Sequence, residues 1–354
     1  MESVNKLVKF ESQVAGHDNI LCLTTNDLMV FKPSSQQERE FYEASQQHEE
    51  FMDWIPECYG TLRSSTENEK ELLDKGQDVA PVLSDNITDI PTDQLANLDD
   101  ILFLCVCVCH LCLENILHGF TRPCIMDIKL GYKIYEDTAD EAKRNKMIKN
   151  AQGTTIESLG LRISGMKIFD SVERHYTSYT KQYGRERTKD NFLDGLLSYF
   201  YPTYNLNNES NNNKWILEHF IDTVSDIQGF VEEHAELQLV GCSLLLVYEG
   251  DASAAQAAWK RMLEEDRQDD ANIDKPVNDN DGVSGGADDA ADADDDADAI
   301  QKDMEETGPK LCDIRLIDFG RSRWQPGRTE QEQSFIKALD NLMGLLDQVI
   351  EQSP

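Results

Sequence analysis

Positive charge is in short supply in this 354-residue chain: 33 Lys and Arg face 67 Asp and Glu, leaving a formal net charge of −34. Sequence-independent nucleic-acid binding depends on neutralising phosphates with Lys and Arg, so direct nucleic-acid binding is not expected. Long apolar runs are missing too. The longest, "ILFLCVCVCHLCL" from Ile101 to Leu113, is interrupted by His110 and falls short of the ~18 residues that a membrane span requires. The opening "MESVNKLVKF" lacks the apolar segment of a secretory signal, and the nine cysteines, an odd number, suggest no disulfide framework. A soluble intracellular protein is expected. Neither a G-x-x-x-x-G-K-[ST] phosphate loop nor an H-R-D catalytic loop occurs, which disfavours a P-loop NTPase and a protein kinase.

Cys105, Cys107, Cys109, His110 and Cys112 crowd into one short stretch. Structural zinc sites usually space their ligands as C-x-x-C, so that the chain can turn around the metal. Alternate residues of a strand share a face, so Cys105, Cys107 and Cys109 would stand in a row that closes no tetrahedron. Small buried hydrophobes are the expectation.

The negative charge is concentrated. From Glu264 to Glu306 there are 18 acids against Arg267, Lys275 and Lys302, which accounts for 15 of the net negative charges. The centre of this segment, "DNDGVSGGADDAADADDDADA", has too little apolar surface to offset the entropy of ordering, so a disordered acidic insert is expected over 264–306. The acidity of the whole therefore says little about the folded remainder.

Residues 4–62 read as short strands and a helix. "NDLMVFKP" is a strand ending near Lys32, followed by a helix capped by Ser34 or Ser35. Residues 64–98 are polar and read as a loop, and Ile101 to Leu113 as a buried strand. "DTADEAKRNKMIKNAQ" reads as a basic helix capped near Asp137 or Thr138, and "SLGLRISGMKIF" as a strand pair bent at its glycines. Ser178 to Asn213 is polar and aromatic, with an Asn-rich loop. "KWILEHFIDTVSDIQGFVEE" is a helix, "ELQLVGCSLLLVYEGD" and "DIRLIDFG" are strands, and Phe335, Ile336, Leu339, Leu342, Met343, Leu346, Val349 and Ile350 form the core-facing stripe of a last helix.

Charged residues end three of the apolar strands: Lys32, the pair Asp127 and Lys129, and Asp318. Singly, each has an ordinary explanation as a solvated strand end, a structural ion pair or a helix cap. In "PCIMDIKLG", Pro123 to Gly131, the Asp and Lys are two residues apart and share a strand face. Together the set supplies what phosphoryl transfer needs: a Lys for nucleotide phosphates, carboxylates for magnesium, and positive charge on the transferring group. The nonapeptide resembles the P-x-x-x-D-x-K-x-G signature of the inositol polyphosphate kinase family. "CSLLLVYEGD", with Cys242 in place of the first Ser, and "LIDFG" resemble its S-S-L-L and I-D-F motifs. "AGHD" at Ala15 to Asp18, "VFKP", "EFYEA", "LCLENILHGF", "SLGLRISGMKI" and "YGRERT" extend the likeness over most of the chain outside 64–98 and the acidic tract. Within the family it is most similar to the fungal multikinases, which also carry an acidic tract before I-D-F.

The resemblance implies an α+β, two-lobed kinase-like fold with antiparallel sheets and ATP in the interlobe cleft. The N-terminal lobe would span 1–120 with a hinge at 114–116, and the C-terminal lobe 121–354, with an inositol-binding helical segment at about 136–215. ATP and Mg2+ are the implied cofactors. Lys32, oriented by Glu38, would hold the ATP phosphates, and backbone groups of Glu114 to Ile116 would read adenine. Asp127 would bind the ribose, Lys129 would bridge the γ-phosphate and the attacked hydroxyl, and Asp318, supported by Ser243, would hold magnesium. Lys143, Arg144, Lys146 and Lys149 would grip the phosphates of the inositol polyphosphate substrate, with Lys167, Lys181 and Arg185 on the same wall. Where multikinases follow I-D-F with Ala-His, this chain has Gly320 and Arg321. Arg321 would take over a phosphate contact or alter substrate preference, and it is no general base at neutral pH.

The implied activity is ATP-dependent phosphorylation of inositol trisphosphate to the tetrakis- and then the pentakisphosphate, by a monomer in the nucleus, with the cytoplasm as a second compartment. One alternative is a hexakisphosphate kinase making pyrophosphates. Another, of a different class, is a scaffold whose acidic tract binds basic transcription factors.

Overall fold

The computed structural model describes residues 7–15, 20–24, 27–62, 109–202, 212–273 and 309–352. Most of "AGHD", the loop at 64–98, the apolar run up to residue 108 with Cys105 and Cys107, the Asn-rich stretch and the acidic residues from 274 to 308 lie outside them.

Two five-stranded sheets carry the fold, and every pairing among the described residues is antiparallel. The first contains β1 (Leu7–Lys9), β2 (Leu21–Leu23), β3 (Met29–Pro33), β4 (Cys58–Leu62) and β5 (His110–Glu114), in the order β1-β2-β3-β5-β4. Helices α1 (Gln36–Ser45) and α2 (Glu49–Met52) leave it after β3. The second contains β6 (Pro123–Leu130), β7 (Leu161–Asp170), β8 (His175–Tyr179), β10 (Ser243–Glu249) and β11 (Cys312–Ile317), in the order β11-β10-β6-β7-β8. A short pair joins β9 (Leu237–Gln238) to β12 (Arg323–Trp324). The remaining helices are α3 (Glu141–Ala151), α4 (Thr155–Leu159), α5 (Lys181–Arg185), α6 (Phe192–Phe200), α7 (Asn212–Glu233), α8 (Ala252–Ile273) and α9 (Gln333–Glu351).

The two-residue period of a strand divides the second sheet into two faces. Met126, Ile128, Leu244, Leu246, Ile314 and Leu316 belong to the main core, which α6, α7 and α9 cover. In α9 the buried residues Phe335, Ile336, Leu339, Leu342, Leu346 and Val349 form the apolar stripe expected from the sequence. The opposite face carries Ile125, Asp127 and Lys129. Both faces of β6 are buried except at Pro123 and Lys129, which is why the strand reads as almost continuously apolar.

Several local expectations change. The cap of α3 is Asp140, whose carboxylate accepts the Lys143 N–H at 2.7 Å, because Asp137 is engaged by Lys133 and Gln238. "SLGLRISGMKIF" is not a strand pair: its first residues end α4, Gly160 caps that helix at φ +68°, and the rest is the single strand β7. Gly165 in β7 marks a close approach, since a Cβ there would lie 1.9 Å from the Val14 carbonyl oxygen. "ELQLVGCSLLLVYEGD" breaks at Gly241 (φ +65°) into β9 and β10. Ser178 to Asn213 contains the unanticipated helices α5 and α6. Helix α8 runs to Ile273, ten residues into the segment expected to be disordered. Asp251 caps it by accepting the Ser253 and Ala254 amides, and its alanine-rich first half is strongly helix-forming.

Candidate active site

The register of the second sheet assembles the site. Ser243 of β10 lies opposite Ile317 of β11 on one side and Lys129 of β6 on the other. Lys129 in turn lies opposite Arg162 of β7. Directly opposed residues share a face, so Ile317, Ser243, Lys129 and Arg162 form one row across four strands, with Asp318 at its edge. Asp127 stands two residues from Lys129 on the same face, opposite Leu245 and Gly165.

Lys32 reaches this row from the first sheet. Its ammonium donates to Glu38 at 2.7 Å and to Asp318 at 2.5 Å. Glu38 is held in place by its helix, where Ser35 caps α1 by accepting the Glu38 N–H, and its carboxylate also accepts the Phe319 N–H at 3.1 Å. Burial alone would lower the Lys32 pKa, but Asp318 and Glu38 more than reverse it and hold the ammonium above the ordinary lysine range. The same pairing overcomes the burial of Asp318 and holds its carboxyl below the ordinary value. Asp318 adopts a left-handed backbone (φ +69°), uncommon for a non-glycine residue. Phe319 anchors that turn by stacking on Phe41 of α1 with ring centroids 4.4 Å apart.

Asp127 is different. It is 5% exposed, and one carboxylate oxygen, Oδ1, has no hydrogen-bond partner. Burial, and then the negative charge of Asp318, push its pKa up to about 6 against the pull of Lys129, Ser243 and Ser164. Lys129 donates to the Gly241 carbonyl at 2.6 Å, and no carboxylate among the described residues is bonded to it.

Between the sheets lies a cavity of about 260 Å³. Val30 and Leu113 from the first sheet, and Ile125, Leu245 and Ile317 from the second, bracket it with apolar surface. Lys32, Asp127 and Asp318 occupy its polar end, and Glu114, Asn115 and Ile116 its connecting edge. The Glu114 and Asn115 amides donate to the Glu57 and Leu28 carbonyls, fixing that edge to the first sheet.

Residues 110–347 match the inositol polyphosphate kinase family. The chain belongs to the inositol polyphosphate kinase family. It is 32% identical over 377 residues to the inositol polyphosphate multikinase of Saccharomyces cerevisiae, covering 98% of this chain and 99% of that one. Against human inositol hexakisphosphate kinase 1 the identity is 23% over 252 residues, 69% of this chain and 53% of the relative. The crystal structure of the S. cerevisiae inositol phosphate multikinase in complex with ADP and Mn2+ matches with a TM-score of 0.55 at 25% identity, covering 91% of this chain and 98% of that one. The α+β, two-lobed kinase-like fold implied by the sequence is the fold of this chain.

The structure of this inositol polyphosphate kinase brings Lys32, Glu38, Asp127, Lys129, Ser243 and Asp318 together, and Glu114 and Ile116 to the cavity edge. Arg321 joins them: its guanidinium packs beside Gly241, the residue whose carbonyl holds Lys129, and its charge helps lower the Asp318 pKa. The basic helix is more mixed. Lys146 and Lys149 are exposed, while Lys143 pairs with Glu136 at 2.7 Å and Arg144 turns back over the Tyr135 ring at 5.4 Å. Lys167 lies on the site face opposite Ile125 but stacks over Tyr176 at 4.6 Å. Lys181 opens α5 and is exposed.

Sequence reasoning missed the apolar bracket of the cavity and Arg162. The bracket is hidden among other core-type residues. Arg162 carried a signal, being the charged position between apolar Leu161 and Ile163 in an alternating strand.

Proposed function

We propose that this kinase is a multikinase, transferring the γ-phosphoryl group of ATP to inositol trisphosphate and then to the tetrakisphosphate. The observation that carries this reading is the row from Asp318 through Ser243 to Lys129, with Lys32 docked on its edge. It offers a carboxylate for a metal at one end and, in the middle, an ammonium for the transferring group that is bonded only to a carbonyl among the described residues. The partnerless Asp127 oxygen fits a hydroxyl donor such as a ribose, and the apolar bracket fits a flat base read by Glu114 to Ile116.

Among the described residues no group of three or more His, Cys, Asp or Glu side chains could enclose a metal by itself. A divalent cation, Mg2+ in this reading, would be held by Asp318 with Ser243 nearby, its remaining positions filled by phosphate oxygens and water, as such ions commonly are. When bound it neutralises charge on the transferring phosphoryl group. Lys32 and Lys129 then orient the phosphates, and Lys143, Arg144, Lys146, Lys149, Lys167, Lys181 and Arg321 gather the acceptor. Catalysis rests on positioning and electrostatic neutralisation. No helix among the described residues is long and apolar enough to cross a membrane.

The acidic residues 274–306 lie between α8 and β11 and contain no site residue. Recruitment of basic transcription factors through them, by a monomer in the nucleus, is compatible with the kinase reading, and deleting them should spare kinase activity. The function itself is tested by incubating the protein with ATP, Mg2+ and inositol 1,4,5-trisphosphate and separating the products by anion exchange. Successive tetrakis- and pentakisphosphate peaks are expected. No turnover there, with pyrophosphate formed from the hexakisphosphate, would replace this reading by the hexakisphosphate kinase one.

A further inference from the structure

We infer that Glu136 is a specificity-determining residue: a fixed carboxylate that holds Lys143 and Arg323 and discriminates against the most highly phosphorylated inositol rings. The inference rests on the kinase reading for the class of ligand, and on the ion pairs around Glu136 for the position.

Glu136, Asp137, Asp140 and Glu141 stand in the approach to α3 and its first turn. Asp137 accepts from Lys133 at 2.7 Å and from Gln238 at 3.0 Å. Asp140 caps the helix through the Lys143 N–H, and Glu141 is exposed. Glu136 turns inward instead, with its side chain 12% exposed. Its Oε1 accepts from the Lys143 ammonium at 2.7 Å, and its Oε2 lies 3.6 Å from the Arg323 guanidinium. Arg323 opens β12, shortly after the turn that carries Asp318. One carboxylate thus ties the basic helix to the segment that follows that turn.

A bridge built only for stability would engage the donors of its arginine. Here the Arg323 Nε is buried and has no hydrogen-bond partner among the described residues, and its contact with Glu136 is longer than a hydrogen bond. Glu136 therefore offsets the charge of Arg323 while leaving its donors unused. Two cations share one carboxylate, so the cluster has a net charge of +1.

The carboxylate treats hydroxyls and phosphates differently. A phosphate engaged by Lys143 shares that ammonium with Glu136, and the ring positions beside it face the carboxylate. A trisphosphate has free hydroxyls to place there, and a hydroxyl donates to a carboxylate. A hexakisphosphate has only phosphates, which bring like charge against a partly desolvated anion and offer it no donor. The same side chain is thus attractive to one acceptor and repulsive to the other, and specificity is the difference between the two affinities.

The test is equilibrium binding of inositol 1,4,5-trisphosphate and of inositol hexakisphosphate to the full chain, for wild type, Glu136→Gln and Arg323→Gln. ATP binding and thermal unfolding of each protein are measured alongside. Both variants break the same ion pair, so a purely structural role would move them in the same direction. Discrimination by charge predicts opposite directions. Glu136→Gln keeps the shape and an acceptor for Lys143 but loses the charge, and should raise the ratio of hexakisphosphate to trisphosphate affinity roughly 3- to 10-fold. Arg323→Gln leaves the carboxylate less neutralised and should lower that ratio, with ATP affinity unchanged in both. A ratio unchanged in Glu136→Gln would overturn the inference, as would ratios that move the same way in the two variants. A wild type that binds neither inositol phosphate would remove the kinase reading and this inference with it. A wild type that binds the trisphosphate without phosphorylating it would remove the reaction alone, and opposite ratios would leave the role of Glu136 standing.

Discussion

The middle of β6 and the turn after β11 each contribute an aspartate to the same cleft, under opposite electrostatic conditions. Asp318, in the turn, is bonded to Lys32 and titrates below the ordinary carboxylate range. Asp127, in the strand, has an orphaned oxygen and a pKa raised to about 6. The turn is a finished piece of structure in which Lys32, Glu38, Phe319 and Asp318 satisfy one another. The strand interior is unfinished: Asp127, Lys129 and Arg162 are held in place by register, and the buried Asp127 Oδ1 has no hydrogen-bond partner. In the free protein the first region is closed by its own bonds, whereas the second keeps a buried carboxylate oxygen unbonded.

Removing the chemistry itself should have the largest effect. Lys129→Ala or Asp318→Asn should lower kcat by about 100-fold or more, the scale of losing one preorganised charge at a reacting centre, with the far-ultraviolet circular dichroism unchanged. Full turnover at ordinary ATP by either variant would withdraw the role given to that residue.

Next in size is the finished region. Lys32→Met leaves the buried Glu38 and the partly exposed Asp318 without their cation. Breaking a buried pair costs about 3–5 kcal/mol, and since the Asp318 side chain is 39% exposed the loss should sit below that range, at about 2 kcal/mol. Denaturant unfolding checks it, and a variant as stable as wild type would mean that the triad is not finished in the sense used here.

The two aspartates should also give opposite slopes in stability against pH. A carboxyl whose folded pKa is raised binds its proton more tightly in the folded state, so Asp127 makes stability fall as pH rises from about 4 to about 6, by about 3 kcal/mol in all. A carboxyl whose folded pKa is lowered contributes stability above its ordinary value of 3.8, which is lost as pH drops below it. Urea midpoints from pH 3 to pH 7 should separate the two, with Lys32→Met erasing the acid-side loss and leaving the Asp127 slope in place.

The smallest effect belongs to exposed charges. Lys146→Ala with Lys149→Ala should change stability by under about 0.5 kcal/mol and raise the KM for the inositol phosphate several-fold, leaving that for ATP alone. Equal changes in both KM values would place this helix elsewhere than on the acceptor.

Much of this contrast can be read from the chain itself. The two-residue spacing of Asp127 and Lys129 puts them on one strand face whatever the strand pairs with, and Ser35 with Glu38 announces the helix that orients Lys32. The periodicity of α9 likewise needs no partner to be recognised. Cross-strand neighbours are another matter. Arg162 meets Lys129 only because β7 pairs with β6 in one register, with a shift near Asp127, and a slip of one residue would turn it to the opposite face. The same holds for Lys143 and Arg144, whose partners Glu136 and Tyr135 come from the approach to α3. The break at Gly241 and the reach of α8 to Ile273 are set by packing and capping that composition alone underweights.

The most direct measurement is the ATP affinity and the unfolding free energy at pH 7 of Asp127→Asn beside wild type. If the strand interior is arranged for a ligand at the expense of the free protein, the variant is more stable than wild type by up to about 3 kcal/mol and binds ATP more weakly. A variant that is less stable, or that binds ATP as well as wild type, would contradict the account.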